Sequence, residues 1–139
     1  MYTCPRCRRP FERPNQSHFC VVKDVGELLL NSPDEHVLAW DKLNEAVLRW
    51  EPNHCGASVK SIVYTSKRVW MVIKPMKQWL DVKFYHSERL EHDRIKRHSG
   101  YRSKTGHHLR IRSEADVDEE VLAWLRASWD DSVKTSKTA

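Results

Sequence analysis

The sequence predicts an α+β fold: an antiparallel β-sheet of about four to five strands with helices packed on one face, plus a small N-terminal zinc knuckle or ribbon. Three observations carry this. Apolar residues from Val37 to Trp50 recur at three- and four-residue spacing, the period of one helix face. From Ala57 onward, short runs rich in Val, Ile and aromatics alternate with brief polar links, as hairpin-connected strands do. Within the first twenty residues, Cys4, Cys7, His18 and Cys20 supply four thiolate and imidazole groups, the ligand type and number of a closed zinc site.

The chain of 139 residues divides into a zinc-binding knuckle over 1–22, an α+β domain over 23–130 and a flexible C-terminal tail over 131–139. The first segment is rich in Arg, Pro and Asn and buries no core of its own. Its fold therefore depends on the Zn2+ that C-x2-C and H-x-C would bind. On an extended return strand His18 and Cys20 point the same way, whereas on a helix they would diverge by about 200°. Four protein ligands leave no position for water, so the expected zinc is structural rather than catalytic. Cys55 stands apart and needs only a small buried site.

Along the second segment, Val25–Leu30 reads as a short helical stretch. Ser32 or Asp34 is then expected to cap a helix running to Trp50, with Asp34 and Glu35 favourable in its first turn. Its apolar stripe is Val37, Trp40, Leu43, Val47 and Trp50. Ala57–Tyr64, Arg68–Lys74, Trp79–His86 and His107–Arg112 read as strands. Residues 87–96 are charged and irregular, and 97–106 form a polar loop with room for a further short strand. A last helix begins at Ser113, its acidic start suiting the helix dipole, and buries Val117, Val121, Leu122, Trp124, Leu125 and Trp129.

Charge is segregated. Residues 1–20 carry four Arg against one Glu, and 57–112 carry fourteen basic against four acidic groups; the two helical segments, 21–56 and 113–139, are each net acidic. Basic sheet and acidic helices imply a polyanionic partner. Taking Val59, Val63, Val69, Met71 and Ile73 as inward, the opposite face presents Lys60, Tyr64, Trp70, Lys74, Lys83, Tyr85, Arg110 and Arg112. Cations interleaved with aromatics suit single-stranded nucleic acid, offering charge to phosphates and stacking surfaces to bases. Arg6, Arg8, Arg9 and Arg13 of the knuckle would extend that track.

Catalytic signals are sparse. His86, His107 and His108 lie in or near strands with Asp81 nearby, but no nucleophile beside a base and no Gly-rich phosphate loop is visible. No enzyme is expected. No apolar run is long enough to span a bilayer, the N-terminus lacks a secretory pattern, and clustered cysteines suit a reducing compartment; a cytoplasmic location without membrane association follows as an expectation.

The opening TCPRC…NQSHFC, the central SVKSIVYTSKRVWMVIKP…WLDVKF and the closing HHLRIRSEADVDEEVLAWLRASW together resemble a bacterial family, the domain of unknown function 5655. That resemblance implies an α+β domain and a CPxC…NQSHxC segment at Cys4, Cys7, Asn15, Gln16, Ser17, His18 and Cys20. The chain departs from the family pattern in carrying Arg8–Arg9 where a Gly often follows the second Cys. No activity is implied. The leading expectation is thus a non-enzymatic, zinc-containing protein that binds RNA or DNA. A protein-interaction adaptor is the alternative class, and a small enzyme with a His-lined pocket the third.

Overall fold

The computed structural model describes residues 2–3, 10–11, 25–101 and 103–134. Strands β1 (Tyr2–Thr3) and β2 (Pro10–Phe11) pair antiparallel, Tyr2 opposite Phe11 and Thr3 opposite Pro10. Two helices follow, α1 (Val25–Leu28) and α2 (Asp34–Val47). The main sheet comprises β3 (His54–Ala57), β4 (Ile62–Thr65), β5 (Val69–Pro75), β6 (Leu80–His86), β7 (Arg97–Tyr101) and β8 (Lys104–Ile111). A 3-10 turn (Glu114–Asp116) leads into α3 (Glu119–Val133).

All six strands pair antiparallel in the order β3-β4-β5-β6-β8-β7. Six replaces the four to five expected. His54–Ala57 adds an edge strand before the apolar run, and residues 97–101 form the other edge by folding back on β8. Because β8 lies between β6 and β7, residues 87–96 must cross the end of the sheet rather than turn tightly.

One sheet face is the core. Ile62 and Tyr64, Met71 and Ile73, Leu80, Val82 and Phe84, and Leu109 and Ile111 pack with Leu43 and Val47 of α2 and Val121 and Leu125 of α3. Full burial of each aliphatic side chain contributes roughly 1.5–3 kcal/mol. The buried aromatic rings also satisfy their polar ends. Tyr64 Oη donates to Asn44 Oδ1 at 2.7 Å and accepts from Trp40 Nε1 at 3.1 Å. Trp70 Nε1 donates to Asn53 Oδ1 at 3.1 Å, and Trp129 Nε1 to the Pro52 carbonyl at 3.0 Å.

Several expectations are corrected. Tyr64 and Trp70, assigned to the open face, are fully buried in the core. The β4–β5 register shifts between Tyr64 and Thr65. Across that irregularity the consecutive residues Trp70 and Met71 are both wholly enclosed, which simple alternation forbids. Val59, expected inward, is exposed. Helix α2 ends at Val47, not Trp50. Pro33 occupies its N-cap without a side-chain hydrogen bond, and its buried stripe is His36, Ala39, Leu43 and Val47. Ser113 caps the 3-10 turn in a reciprocal box with Asp116, whereas α3 is capped by Asp118, whose side chain accepts from Val121 N. That last helix continues through the first residues of the supposed tail. Asp131 and Ser132 are buried, Ser132 Oγ lying 2.6 Å from Ser66 Oγ. No described helix is long and apolar enough to cross a membrane.

Candidate nucleic-acid interface

With Leu80, Val82 and Phe84 directed into the core, the pleat turns Asp81, Lys83 and Tyr85 to the other face. The ladders then fix their neighbours. Lys74 stands opposite Asp81, and Asp81 opposite Arg110; Val72 stands opposite Lys83, and Lys83 opposite His108, which faces Arg97 on β7. Lys74, Lys83, Arg97 and Arg110 thus share one face built from four adjacent strands. Arg112 continues the line just beyond β8. Trp79, before β6, supports its end: the guanidinium carbons of Arg110 and Arg112 lie 4.3 and 5.4 Å from its ring centroid. Lys83 Nζ lies 5.2 Å from the Tyr85 ring centroid. These are cation–π distances.

Asp81 is the single carboxylate within strands β3–β8. Among the described residues, no carboxylate forms an ion pair with Lys74, Lys83, Arg97, Arg110 or Arg112. Acidic groups gather elsewhere. Arg94, in the β6–β7 crossover, is held by Asp118 at 2.9 Å and Glu120 at 3.1 Å, pinning that crossover to the start of α3. Among the described residues, the cations of this face thus have no carboxylate partner.

Asp81 instead contacts a histidine. His108 Nδ1 lies 3.0 Å from Asp81 Oδ2, and His108 Nε2 lies 3.0 Å from Ser99 Oγ. An ionised carboxylate only accepts, so Nδ1 carries the proton and the bare Nε2 of neutral His108 accepts from the serine hydroxyl. Gly106, opposite Ser99 in the β7–β8 ladder, makes room for this. A Cβ at Gly106 would lie 2.6 Å from Ser99 Oγ and 3.2 Å from Lys83 Cδ.

His107 points the opposite way, as adjacent strand residues must. It stacks on Phe84 with centroids 4.9 Å apart and is wholly enclosed. Its Nε2 accepts from Leu90 N at 2.9 Å while Nδ1 lies 3.3 Å from the Phe84 carbonyl. That pairing selects the neutral ring protonated on Nδ1, and burial lowers its pKa from the ordinary histidine value. His86 accepts from Glu88 N through Nδ1 at 3.0 Å. Because His107 and His108 lie on opposite faces, the three histidines line no common pocket. At the same end of the sheet, Asp131 pairs with Lys104 at 2.8 Å and accepts from Ser87. Burial acts to raise the Asp131 carboxyl, but hydrogen bonds from Lys104 and Ser87 outweigh it and hold it below the usual carboxylate range.

The model of a family described as a domain of unknown function, DUF5655, matches residues 25–132. The chain belongs to the DUF5655 family. The match runs from the start of α1 to Ser132 in the last turn of α3, so it takes in the whole six-stranded sheet and its helices. None of the curated proteins and none of the solved structures compared matches the chain.

Of the residues singled out from sequence, the DUF5655 sheet brings Lys74, Lys83, Tyr85 and Arg110 onto one face, with Arg112 at its end. Lys60 lies apart, exposed in the β3–β4 turn. Cys4, Cys7, His18, Cys20, Arg6, Arg8, Arg9 and Arg13 lie outside the described residues. Among the described residues, no group of three or more His, Cys, Asp or Glu side chains is placed to hold a metal ion. Sequence reasoning missed Arg97, Ser99 and Trp79 as members of the open face. Only the β7–β8 register reveals the first two; the aromatic Trp79 at a strand start was the one visible signal for the third.

Proposed function

We propose that this protein binds single-stranded RNA or DNA across the open face of its sheet. The observation that carries the reading is the cluster of Lys74, Lys83, Arg97, Arg110 and Arg112 on adjacent strands, without carboxylate ion-pair partners among the described residues. Trp79 and Tyr85 lie among them. Cations spaced along neighbouring strands meet successive phosphates, and the half-buried Trp79 ring offers stacking to a base, whereas Tyr85 is buried and only underlies Lys83. We further propose that Cys4, Cys7, His18 and Cys20 hold one structural Zn2+, supported by the donor set itself: three thiolates and an imidazole are zinc's preferred ligands in tetrahedral number. The metal would place Arg6, Arg8, Arg9 and Arg13 on a folded arm that adds further phosphate contacts.

Purification with and without nuclease treatment tests the binding reading. The expected result is a raised 260/280 nm absorbance ratio that nuclease removes, and recovery of binding when a labelled oligonucleotide is added back at low salt. Failure to bind any oligonucleotide at low salt overturns it. A protein partner retained by a chain that binds no nucleic acid would favour the adaptor class instead. For the metal, elemental analysis is expected to give about one zinc per chain from the ligand count, and a zinc-free protein from zinc-replete medium would refute the assignment.

A further inference from the structure

The binding reading requires no chemistry, yet the centre of the open face carries more than charge. Ser99, His108 and Asp81 come from three strands, β7, β8 and β6, and form a continuous relay: hydroxyl to Nε2 at 3.0 Å, Nδ1 to carboxylate at 3.0 Å. This is the order of nucleophile, base and orienting carboxylate in which an imidazole activates a serine. His108 is almost wholly enclosed and its ring is fixed by both contacts, while Ser99 is only partly buried.

We propose that Ser99 is a nucleophile toward phosphodiesters, with His108 as its base and Asp81 as the positioning residue; the substrate class rests on the nucleic-acid-binding reading above. The surroundings favour phosphoryl over acyl transfer. Strands β6 and β8 are paired on both edges, so their amides are committed to the ladders, and among the strands around Ser99 only the outer edge of β7 has backbone N–H groups left for an acyl oxyanion. What the face offers is cationic side chains. Lys83 and Arg97 are the cross-strand neighbours of His108 on either side. Lys83 Cδ and Ser99 Oγ both close on the space above Gly106. Positive groups around the reacting atom suit a centre that is already negative.

In the first step Ser99 Oγ bonds to phosphorus as its proton passes to His108 Nε2. The opposite P–O bond to the sugar breaks, and that oxygen takes a proton from the Lys83 ammonium. In the second step water attacks the phosphoserine diester opposite Oγ and gives its proton to Lys83. The Oγ–P bond breaks, and His108 returns its proton to Ser99. Arg97 neutralises the non-bridging oxygens. The products are a terminal hydroxyl and a terminal phosphate, with every side chain regenerated.

The test uses the full-length protein with bis(p-nitrophenyl) phosphate and, in parallel, an end-labelled single-stranded oligonucleotide whose binding is followed by anisotropy. Nitrophenolate release and strand cleavage are expected. Ser99→Ala and His108→Gln should each lower kcat by about 10²–10⁴-fold, the range for removing a positioned acid–base partner. Asp81→Asn should lower kcat at little-changed KM, with partial rescue by Asp81→Glu, a split that a merely structural role would not give. Because the substituted chains need not fold, wild-type protein is also treated with a fluorophosphonate, and a tryptic adduct on Ser99 is the expected mass. Binding without Ser99-dependent cleavage, or no adduct on Ser99 of folded protein, overturns this proposal and leaves the binding reading standing. No oligonucleotide binding at all overturns that reading instead. Ser99-dependent turnover of the small diester in a protein that binds no oligonucleotide rejects nucleic acid as the substrate.

Discussion

Removing Lys74 and Arg110 together should change how binding responds to salt, not only how tight it is. The five cations of the open face are Lys74, Lys83, Arg97, Arg110 and Arg112. If each neutralises one phosphate of a single strand, the slope of log K against log salt is about −0.7 per contact, or roughly −3.5 in all. Raising salt fourfold, from about 50 to 200 mM, then weakens binding about 130-fold. In the Lys74→Ala/Arg110→Ala variant three contacts remain, the slope falls to about −2.1, and the same step costs only about 18-fold. Anisotropy of a labelled oligonucleotide at several salt concentrations reads both slopes. The knuckle arginines would add equally to both proteins, so the difference of about 1.4 between slopes is the decisive quantity. An unchanged slope in the variant would refute the assignment of phosphate contacts to this face.

Two further outcomes test the fold beneath the face. The folded state lowers the pKa of His107 through burial, so it resists protonation that the unfolded chain accepts. Stability should be full above the unfolded histidine value, about 6.5, and decline as pH falls below it toward the lowered folded value. His107→Asn should show a smaller loss of thermal midpoint between pH 7 and 5, and an unchanged loss would remove His107 as its source. Leu125 is wholly buried between α3 and the sheet. Leu125→Ala should cost about 3 kcal/mol in denaturant unfolding, and a cost under about 1 kcal/mol would contradict a rigid core at that position.

What the sequence made legible follows the strength of its periodicities. The α3 stripe of Val121, Leu125 and Trp129 is spaced by four residues, and it packs as expected. Strand β6 alternates Leu80, Val82 and Phe84 against Asp81 and Lys83, so its two faces were unambiguous. In β4 and β5 apolar residues occupy both faces, Val63 and Val72 opposing each other outside while Ile62 and Ile73 oppose each other inside. Hydrophobicity alone could not choose a register there, and the irregularity at Tyr64/Thr65 misled the alternation for Tyr64 and Trp70. Lys83 falls on the face the sequence predicts because β6 alternates cleanly, whereas Lys74 sits on the ambiguous β5 and Arg97 lies on an edge strand with no such pattern. The Ser99–His108–Asp81 relay had no local signature. Its two contacts span nine and 27 residues of sequence, Ser99 is an ordinary polar residue, and the edge strand carrying it falls in the polar loop expected over 97–106, where the sequence leaves room for a short strand. Placing β7 beyond β8 is what brings serine to histidine.

Nucleic acid bound across the open sheet face would leave its mark on the amides of that face. Titrating isotope-labelled protein with a short single-stranded oligonucleotide and following backbone amide shifts locates the contact directly. The account predicts saturable shifts concentrated at Lys74, Asp81, Lys83, Arg97, His108 and Arg110, with α2 and α3 little affected. Shifts confined to the acidic helices, or none at saturating oligonucleotide in low salt, would contradict it.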